Sequence, residues 1–298
     1  DGEEAGTLIR NADTAMYRAK EQGRNTYQYF TREMNERAVQ RGQLEQAMRR
    51  AIERKEFRLH YQPKVELEGG AIRGLEALLR WQPPDKPLVA PQEFVAVLED
   101  TGLIVPVGEW VMREVCRQIQ AWKGAGLAVP PVAVNLSARQ FQQKDLESRV
   151  REVMQESGVD PALIEFELTE SVLMKDPELA ARTMRGLRRV GVTLAVDDFG
   201  TGYSSLSYLK RFPIDTLKID RAFVRDVTTD PEDAAIVVSI IGLARGLDLK
   251  VVAEGVESEG QARFLRSHGC HEMQGYYAAR PADEAEVAAL LRAGRVPT

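Results

Sequence analysis

Two adjacent acids, Asp197 and Asp198, end the mostly apolar run from Val192 to Val196 and lead into a loop punctuated by Gly200 and Gly202. Neighbouring carboxylates at the rim of an apolar core repel each other, so one takes up a proton, turns away or shares a cation. A divalent metal meets that need most directly. Similar residues recur along the chain, where Glu76, Asn135, Glu167, Lys218, Glu254 and Gln274 each close or adjoin a short strand-like run. One lysine does not neutralise these five carboxylates, since two unit charges about 4 Å apart interact by roughly 4 kcal/mol at an effective dielectric near 20. Ligation by carboxylates and one amide suits Mg2+ or Mn2+ better than zinc, which prefers His and Cys. A distorted strand end would let both aspartates reach in, the first bridging two ions and the second serving one. Two ions about 3.5–4 Å apart suit in-line displacement at phosphorus.

For these groups to meet, the strands that carry them must share one mouth. Strand-like sequence lies near 57–66, 72–79, 132–136, 163–168, 193–197, 215–219, 249–253 and 270–274, with helical sequence between most of them, for instance at 106–123, 177–190, 232–246 and 258–267. Strands alternating with helices over about 240 residues predict an α/β fold, a TIM-like (β/α)8 barrel with its site at the C-terminal strand ends. One connection breaks the pattern. Only Glu68, Gly69 and Gly70 separate the first two strands, whereas a parallel crossover takes a dozen or more residues, so the first strand is expected antiparallel to the rest. Pro83 to Pro87 form a rigid turn, and helical sequence at 91–99 is placed beside the barrel.

Upstream, Leu8, Ala12, Ala15, Met16 and Ala19 share one face of a helix over 8–21, with Gly23 as a stop, and Asn25 to Phe30 alternate like a short strand. A lone helix and strand bury no core, so residues 1–30 read as the tail of another domain. Residues 31–56, rich in Arg, Glu and Gln, read as a linker helix leading into a barrel over 57–298. Asp1 is not an initiator Met and Asp-Gly-Glu-Glu is no signal peptide, so the chain reads as a piece of a longer protein. No apolar run reaches the roughly 18 residues of a membrane span, so no membrane is expected in this fragment, a membrane-attached parent staying open. Cys116 and Cys270 make no disulfide framework, which points to a reducing cytoplasm. A net charge of -5 argues against binding a nucleic-acid polymer.

Each feature has a plainer reading. An isolated strand-end acid more often caps a helix or joins a surface ion pair, yet polar residues ending successive strands in register favour a common site. Asp198-Phe199-Gly200 spells a kinase metal triplet without the loops that accompany it. Gly200-x-Gly202-x-x-Ser205 lacks the third glycine of a dinucleotide fingerprint. His268, Cys270 and His271 offer three ligands where structural zinc wants four. Arg188 and Arg189 read as a solvated helix end, while Arg80, beside Trp81, suits a phosphate. The residues alone also allow a barrel lyase with Lys218 as base beside one metal, which Asn135 and the paired aspartates fit less well.

Tyr61-Gln62-Pro63, Glu76-Ala77-Leu78-Leu79-Arg80-Trp81, Asn135-Leu136-Ser137, Glu167-Leu168-Thr169-Glu170, Asp197-Asp198-Phe199-Gly200-Thr201-Gly202, Lys218-Ile219-Asp220, Ala253-Glu254-Gly255-Val256-Glu257 and Gln274-Gly275-Tyr276 occur in that order. Together they resemble the EAL domain family of bacterial cyclic-di-GMP phosphodiesterases, from about residue 40 to about residue 295. The resemblance implies hydrolysis of cyclic di-GMP to linear 5'-pGpG with Mg2+ or Mn2+. By motif, it implies that Glu76, Asn135, Glu167 and Asp197 hold a first ion, and Asp197 and Asp198 a second. Lys218 and Glu254 would orient and activate the attacking water, supported by Gln274. Glu170 would brace the loop after Asp198, which in the family couples metal, substrate and dimerisation, implying a homodimer through the barrel. Gln62, Leu78, Arg80, Asp220 and Glu257 would lie along the substrate. Tyr277-Ala278-Ala279 departs from the family's bulkier Leu-Phe-Ser type, which bears on guanine-edge contacts and not on the metals. Degenerate relatives that bind cyclic di-GMP without cutting it usually lack several ligands, and this chain keeps them all. Residues 1–30 resemble the C-terminal end of a GGDEF diguanylate cyclase domain, through Asn11 to Lys20 and Gly23-Arg24-Asn25, without the signature that would imply synthesis.

Overall fold

A computed structural model describes residues 4–21, 25–84, 86–202 and 206–296. Eight strands, β1 (Phe57–Glu66), β2 (Ile72–Trp81), β3 (Val132–Asn135), β4 (Ile164–Thr169), β5 (Thr193–Phe199), β6 (Thr216–Ile219), β7 (Lys250–Ala253) and β8 (Glu272–Met273), close into a barrel in chain order. β1 runs antiparallel to both its neighbours, β2 and β8, and every other pair is parallel. The short first connection forces this. Gly69 and Gly70 both take positive φ, 85° and 64°, which lets the chain reverse at once. The barrel with a reversed first strand is therefore the observed architecture.

Alternation along each strand sorts side chains to two environments. Phe166, Leu168, Leu194, Val196, Leu217 and Ile219 face the surrounding helices and are fully buried, each contributing about 1.5–3 kcal/mol of burial. Tyr61 does the same on β1, its ring centroid 4.9 Å from that of Trp122. The residues between them point inward, and these are largely polar: Gln62, Lys64, Glu165, Glu167, Thr216 and Lys218. Lys64 on β1 contacts Glu165 and Glu167 on β4, and Thr216 on β6 contacts Glu165. None of these strands is adjacent to another of them, so the contacts cross the interior.

The helices at 177–190 and 259–267 match the sequence expectation to within a residue. The first starts from Asp176 as cap with Pro177 behind it and stops at Gly191, φ 108°. The segment at 91–99 is a 3-10 turn, Pro91–Glu93, followed by the helix Val95–Thr101. β8 is shorter than expected. It lies between an antiparallel and a parallel neighbour, and Gln274 continues to bond β7 through its N–H, 2.8 Å from the Ala253 carbonyl. Arg188 and Arg189 are not merely solvated: they pair with Asp215 at 2.9 Å and Glu147 at 3.0 Å.

The N-terminal helices α1 (Ala5–Glu21) and α2 (Arg32–Glu53) precede the barrel. Residues 25–30 do not join a sheet, which corrects the strand expected there. Alternation alone makes no strand without an edge to pair with. The second half of α2 packs against the barrel, with Met48 and Ala51 fully buried, and Arg41, just before it, lies 2.5 Å from Asp100 of the helix Val95–Thr101. Among the described residues, no helix is long and apolar enough to cross a membrane. Met48→Ala should therefore destabilise the barrel by about 2–5 kcal/mol. Denaturant unfolding would check this, and an unchanged midpoint would mean that α2 is dispensable to the barrel.

Candidate active site

The site begins with an irregularity in β5. Between the pairs Val196↔Leu217 and Phe199↔Ile219, β5 supplies Asp197 and Asp198 where β6 supplies only Lys218. This is a β-bulge, and Asp198 adopts φ 52° to make it. Asp tolerates the left-handed region better than most side chains. The bulge is the distorted strand end that paired acids require. One oxygen from each of Asp197, Asp198 and Glu254 lies within 4.8 Å of the others.

Lys218 sits at the centre with its side chain 1% exposed. Its Nζ is 2.5 Å from Glu254 Oε1, 2.6 Å from Glu167 Oε2, 3.1 Å from Asp197 Oδ1 and 3.8 Å from Glu76 Oε2. Asn135 Nδ2 donates to Glu76 Oε1 at 2.6 Å, and Gln274 Nε2 donates to Glu76 Oε2 at 2.6 Å and to Gln62 Oε1 at 3.0 Å. The Gln62 amide in turn donates to the Ala279 carbonyl at 2.9 Å. Glu76, Asn135, Glu167, Asp197, Asp198, Lys218, Glu254 and Gln274, drawn from seven separate stretches of sequence, thus meet at one mouth.

One ammonium shared among four carboxylates leaves charge uncompensated. Burial pushes Asp198 up to about 7, with Asp197 and Asp220 adding to the push. Burial likewise pushes Glu254 up to about 8, against the pull of Lys218 and with help from Asp197, Glu76 and Glu167. Glu76 is also raised, by burial first. Glu167 moves down to about 2: burial opposes ionisation, but Lys218 and Lys64 more than offset it. Lys218 is held well above an ordinary lysine, burial being outweighed by Asp197, Glu167, Glu254 and Glu76. The donor set is all oxygen and short of positive charge, so it fits a hard divalent cation.

Gln62, Leu78, Arg80 and Glu257 line a cleft of about 450 Å3 together with Glu76, Asp197, Asp198, Glu254 and Gln274. Burial lowers the Arg80 guanidinium from its ordinary range. An adjoining, more apolar cavity of about 790 Å3 is reached past Leu78 and Asp198 and is lined by Asn135 and Glu167. Asp220 lines neither. It caps the helix Arg221–Arg225 through Ala222 N at 2.6 Å and leans on Asp198. Glu170 is also behind the wall, 1% exposed, with Oε2 accepting from Gly200 N at 3.0 Å. A Cβ on Gly202 would lie 2.6 Å from Glu170 Oε1, so any larger residue there would push the Glu170 carboxylate aside. Residues 203–205 of the loop lie outside the described residues.

Three interior residues and one in the cleft wall escaped the sequence reading: Lys64, Glu165, Thr216 and Arg221. The first three share strand parity with Gln62, Glu167 and Lys218, two positions along, so the alternation that picked the latter could have found them. Arg221 follows Asp220 at a helix start and carries no pattern.

A family model described as the EAL domain matches residues 45–281. The chain belongs to the EAL domain family. It is 47% identical over 281 residues to the bifunctional diguanylate cyclase/cyclic di-GMP phosphodiesterase MucR of Pseudomonas aeruginosa, covering 94% of this chain and 41% of that protein. To the cyclic di-GMP phosphodiesterase PdeR of Escherichia coli it is 44% identical over 280 residues, covering 94% and 42%. A solved structure of the PaMucR phosphodiesterase in complex with c-di-GMP superposes with a TM-score of 0.80 and 46% identity, covering 82% of this chain and 99% of that one. This EAL domain chain thus spans about two fifths of the length of these curated relatives.

A divalent cation held by this cluster would displace protons from the acids that face it. Asp198 and Glu254 bind protons more tightly folded than unfolded, so their burial costs metal-free stability that grows as pH rises toward about 7 and about 8. A cation removes that cost. The rise in melting temperature given by excess Mn2+ should therefore be larger at about pH 8 than at about pH 6. An equal rise at both would count against Asp198 and Glu254 facing the cation.

Proposed function

We propose that this EAL domain hydrolyses one phosphodiester bond of cyclic di-GMP to give linear 5'-pGpG. The observation that carries the reading is the bulge at Asp197 and Asp198, which turns two adjacent acids toward a charge-deficient oxygen cluster at the foot of a cleft with Arg80 in its wall. The relatives named as cyclic di-GMP phosphodiesterases and the PaMucR complex with c-di-GMP support the substrate. Glu76, Asn135, Glu167 and Asp197 would hold a first Mg2+ or Mn2+, and Asp197 with Asp198 a second. When bound, such ions polarise the phosphoryl oxygens and favour ionisation of the attacking water.

The chain's own groups complete the chemistry. Glu254, with a proton affinity near neutrality, suits a general base for that water. Lys218 holds Glu254 in place at 2.5 Å and keeps a positive charge beside the reacting phosphate. Gln274 fixes Glu76, and Arg80 offers a guanidinium to the substrate phosphate. Gln62, Leu78 and Glu257 lie along the bound dinucleotide, and Tyr276, with Arg280 4.1 Å over its ring, gives a flat surface for a base. Asp220 acts through Asp198 and not from the cleft wall.

The same reading extends to assembly. The helix Pro231–Gly246 leaves Ile236 and Val238 exposed while its Ile240 packs under the glycine loop, where a Cβ on Gly200 would come within 3.2 Å. We read this helix as the homodimer contact, with Glu170 bracing the loop that joins it to the site. Residues 1–30 are read as the end of a GGDEF domain and α2 as its link to the barrel, in a cytoplasmic protein.

Purified protein with Mn2+ should convert cyclic di-GMP to 5'-pGpG, and Glu76→Ala should abolish it. Glu254→Gln should lower kcat by about 10²–10⁴-fold while substrate still binds. Tight binding of cyclic di-GMP by the parent protein without turnover would instead identify a sensor. Full activity in Glu76→Ala would remove Glu76 from the metal site.

A further inference from the structure

Beneath the acid cluster lies a second buried lysine. Lys64 Nζ is 2.6 Å from Glu165 Oε1 and 2.7 Å from Glu167 Oε1, with its side chain 4% exposed. It comes from β1, the reversed strand, and reaches across the barrel to β4. The strand pair is shaped to admit it. Its register partner on β2 is Gly74, where a Cβ would lie 3.3 Å from Lys64 Cδ, and the β1–β2 ladder shifts between Lys64 and Val65. Glu165 is held in turn by Thr216 Oγ1, which donates to Oε2 at 3.0 Å.

We propose that Lys64 is a positioning residue for Glu167, fixing this carboxylate by one oxygen so that it presents only the other to a cation at the barrel mouth. Resting on the reading of Glu167 as a metal ligand, the inference follows from how its two oxygens are used. Oε1 is taken by Lys64 from below, and Oε2 faces Lys218 at 2.6 Å, on the side of Glu76, Asp197 and Glu254. The Glu167 side chain has no exposure to water, so no solvent replaces Lys64 if it is lost. A carboxylate without that anchor would be free to rotate and to take a cation by both oxygens, away from the geometry Glu76 and Asp197 share with it. Lys64 meanwhile supplies charge to Glu165, which keeps that acid from competing as a ligand.

A purely structural ion pair makes a different prediction. Buried pairs replaced whole by uncharged side chains often leave stability unchanged, whereas removing one partner is costly. Lys64→Met alone would strand Glu165, so the informative variant is Lys64→Met with Glu165→Gln, and Lys64→Gln with Glu165→Gln serves if the first does not fold. Calorimetric titration of the metal-free proteins with Mn2+ reads the ligand geometry without any turnover. The folded double variant should bind Mn2+ about 10–100-fold more weakly than the parent, the usual effect of losing a residue that orients a ligand. Its kcat should fall with KM for cyclic di-GMP little changed. Parent-like Mn2+ affinity in the folded double variant would overturn the proposal. So would parent-like affinity in Glu167→Gln, because Glu167 would then be no ligand. Absence of phosphodiesterase activity in a parent that binds Mn2+ through Glu167 would overturn the substrate reading and leave this one standing.

Discussion

The structure depends on a shortage of positive charge inside a closed barrel. Lys218 is shared among Glu76, Glu167, Asp197 and Glu254, Lys64 adds a second cation to Glu167 only, and Asp198 lies beside them. Burying carboxylates without counter-charge is expensive, and the usual outcome is a raised pKa. That outcome is divided unevenly here. Glu167, with two lysines, stays ionised, while Asp198 and Glu254, raised by burial and by the neighbouring acids, hold protons near neutrality. The cost is carried by the outer layer, where apolar side chains from the same strands are packed beneath the helices. A barrel separates the two demands cleanly, because alternation sends one set of residues to the core and the other to the site.

Much of this was legible in sequence because its causes are local. A three-residue, glycine-rich connection cannot hold a crossover helix, so the reversed strand follows from chain length alone. Polar residues ending apolar runs mark strand ends, and a barrel brings strand ends together. Lys64 and Glu165 were less visible because they sit within strands rather than at their ends, where a charged residue usually reads as a solvated face. Only the closed topology turns that face inward. The strand expected at 25–30 failed for the opposite reason, since its pattern was right and its partner edge was missing among the described residues. The family resemblance puts Asp220 along the substrate, and the chain turns into a helix at that residue, its carboxylate accepting from Ala222 N as a cap.

The irregular points of the barrel are the ones that carry chemistry. A regular β5 would send Asp197 and Asp198 to opposite faces, one into the site and one into the apolar layer. The bulge avoids this by spending one extra residue, and it bends the chain so that Gly200 meets Glu170, Phe223 and Ile240. Glu170 Oε1 is left buried without a hydrogen-bond partner among the described residues, directly against Gly202. An unpaired buried carboxylate oxygen is a point of stored cost. Glu170 accepts from the backbone of Gly200, two residues after Asp198, and Gly200 packs beside Ile240 of the helix Pro231–Gly246. The positive φ of Asp198 and the N–H that Glu170 accepts from lie two residues apart, so one turn sets both the acid that completes the cluster and the brace behind it.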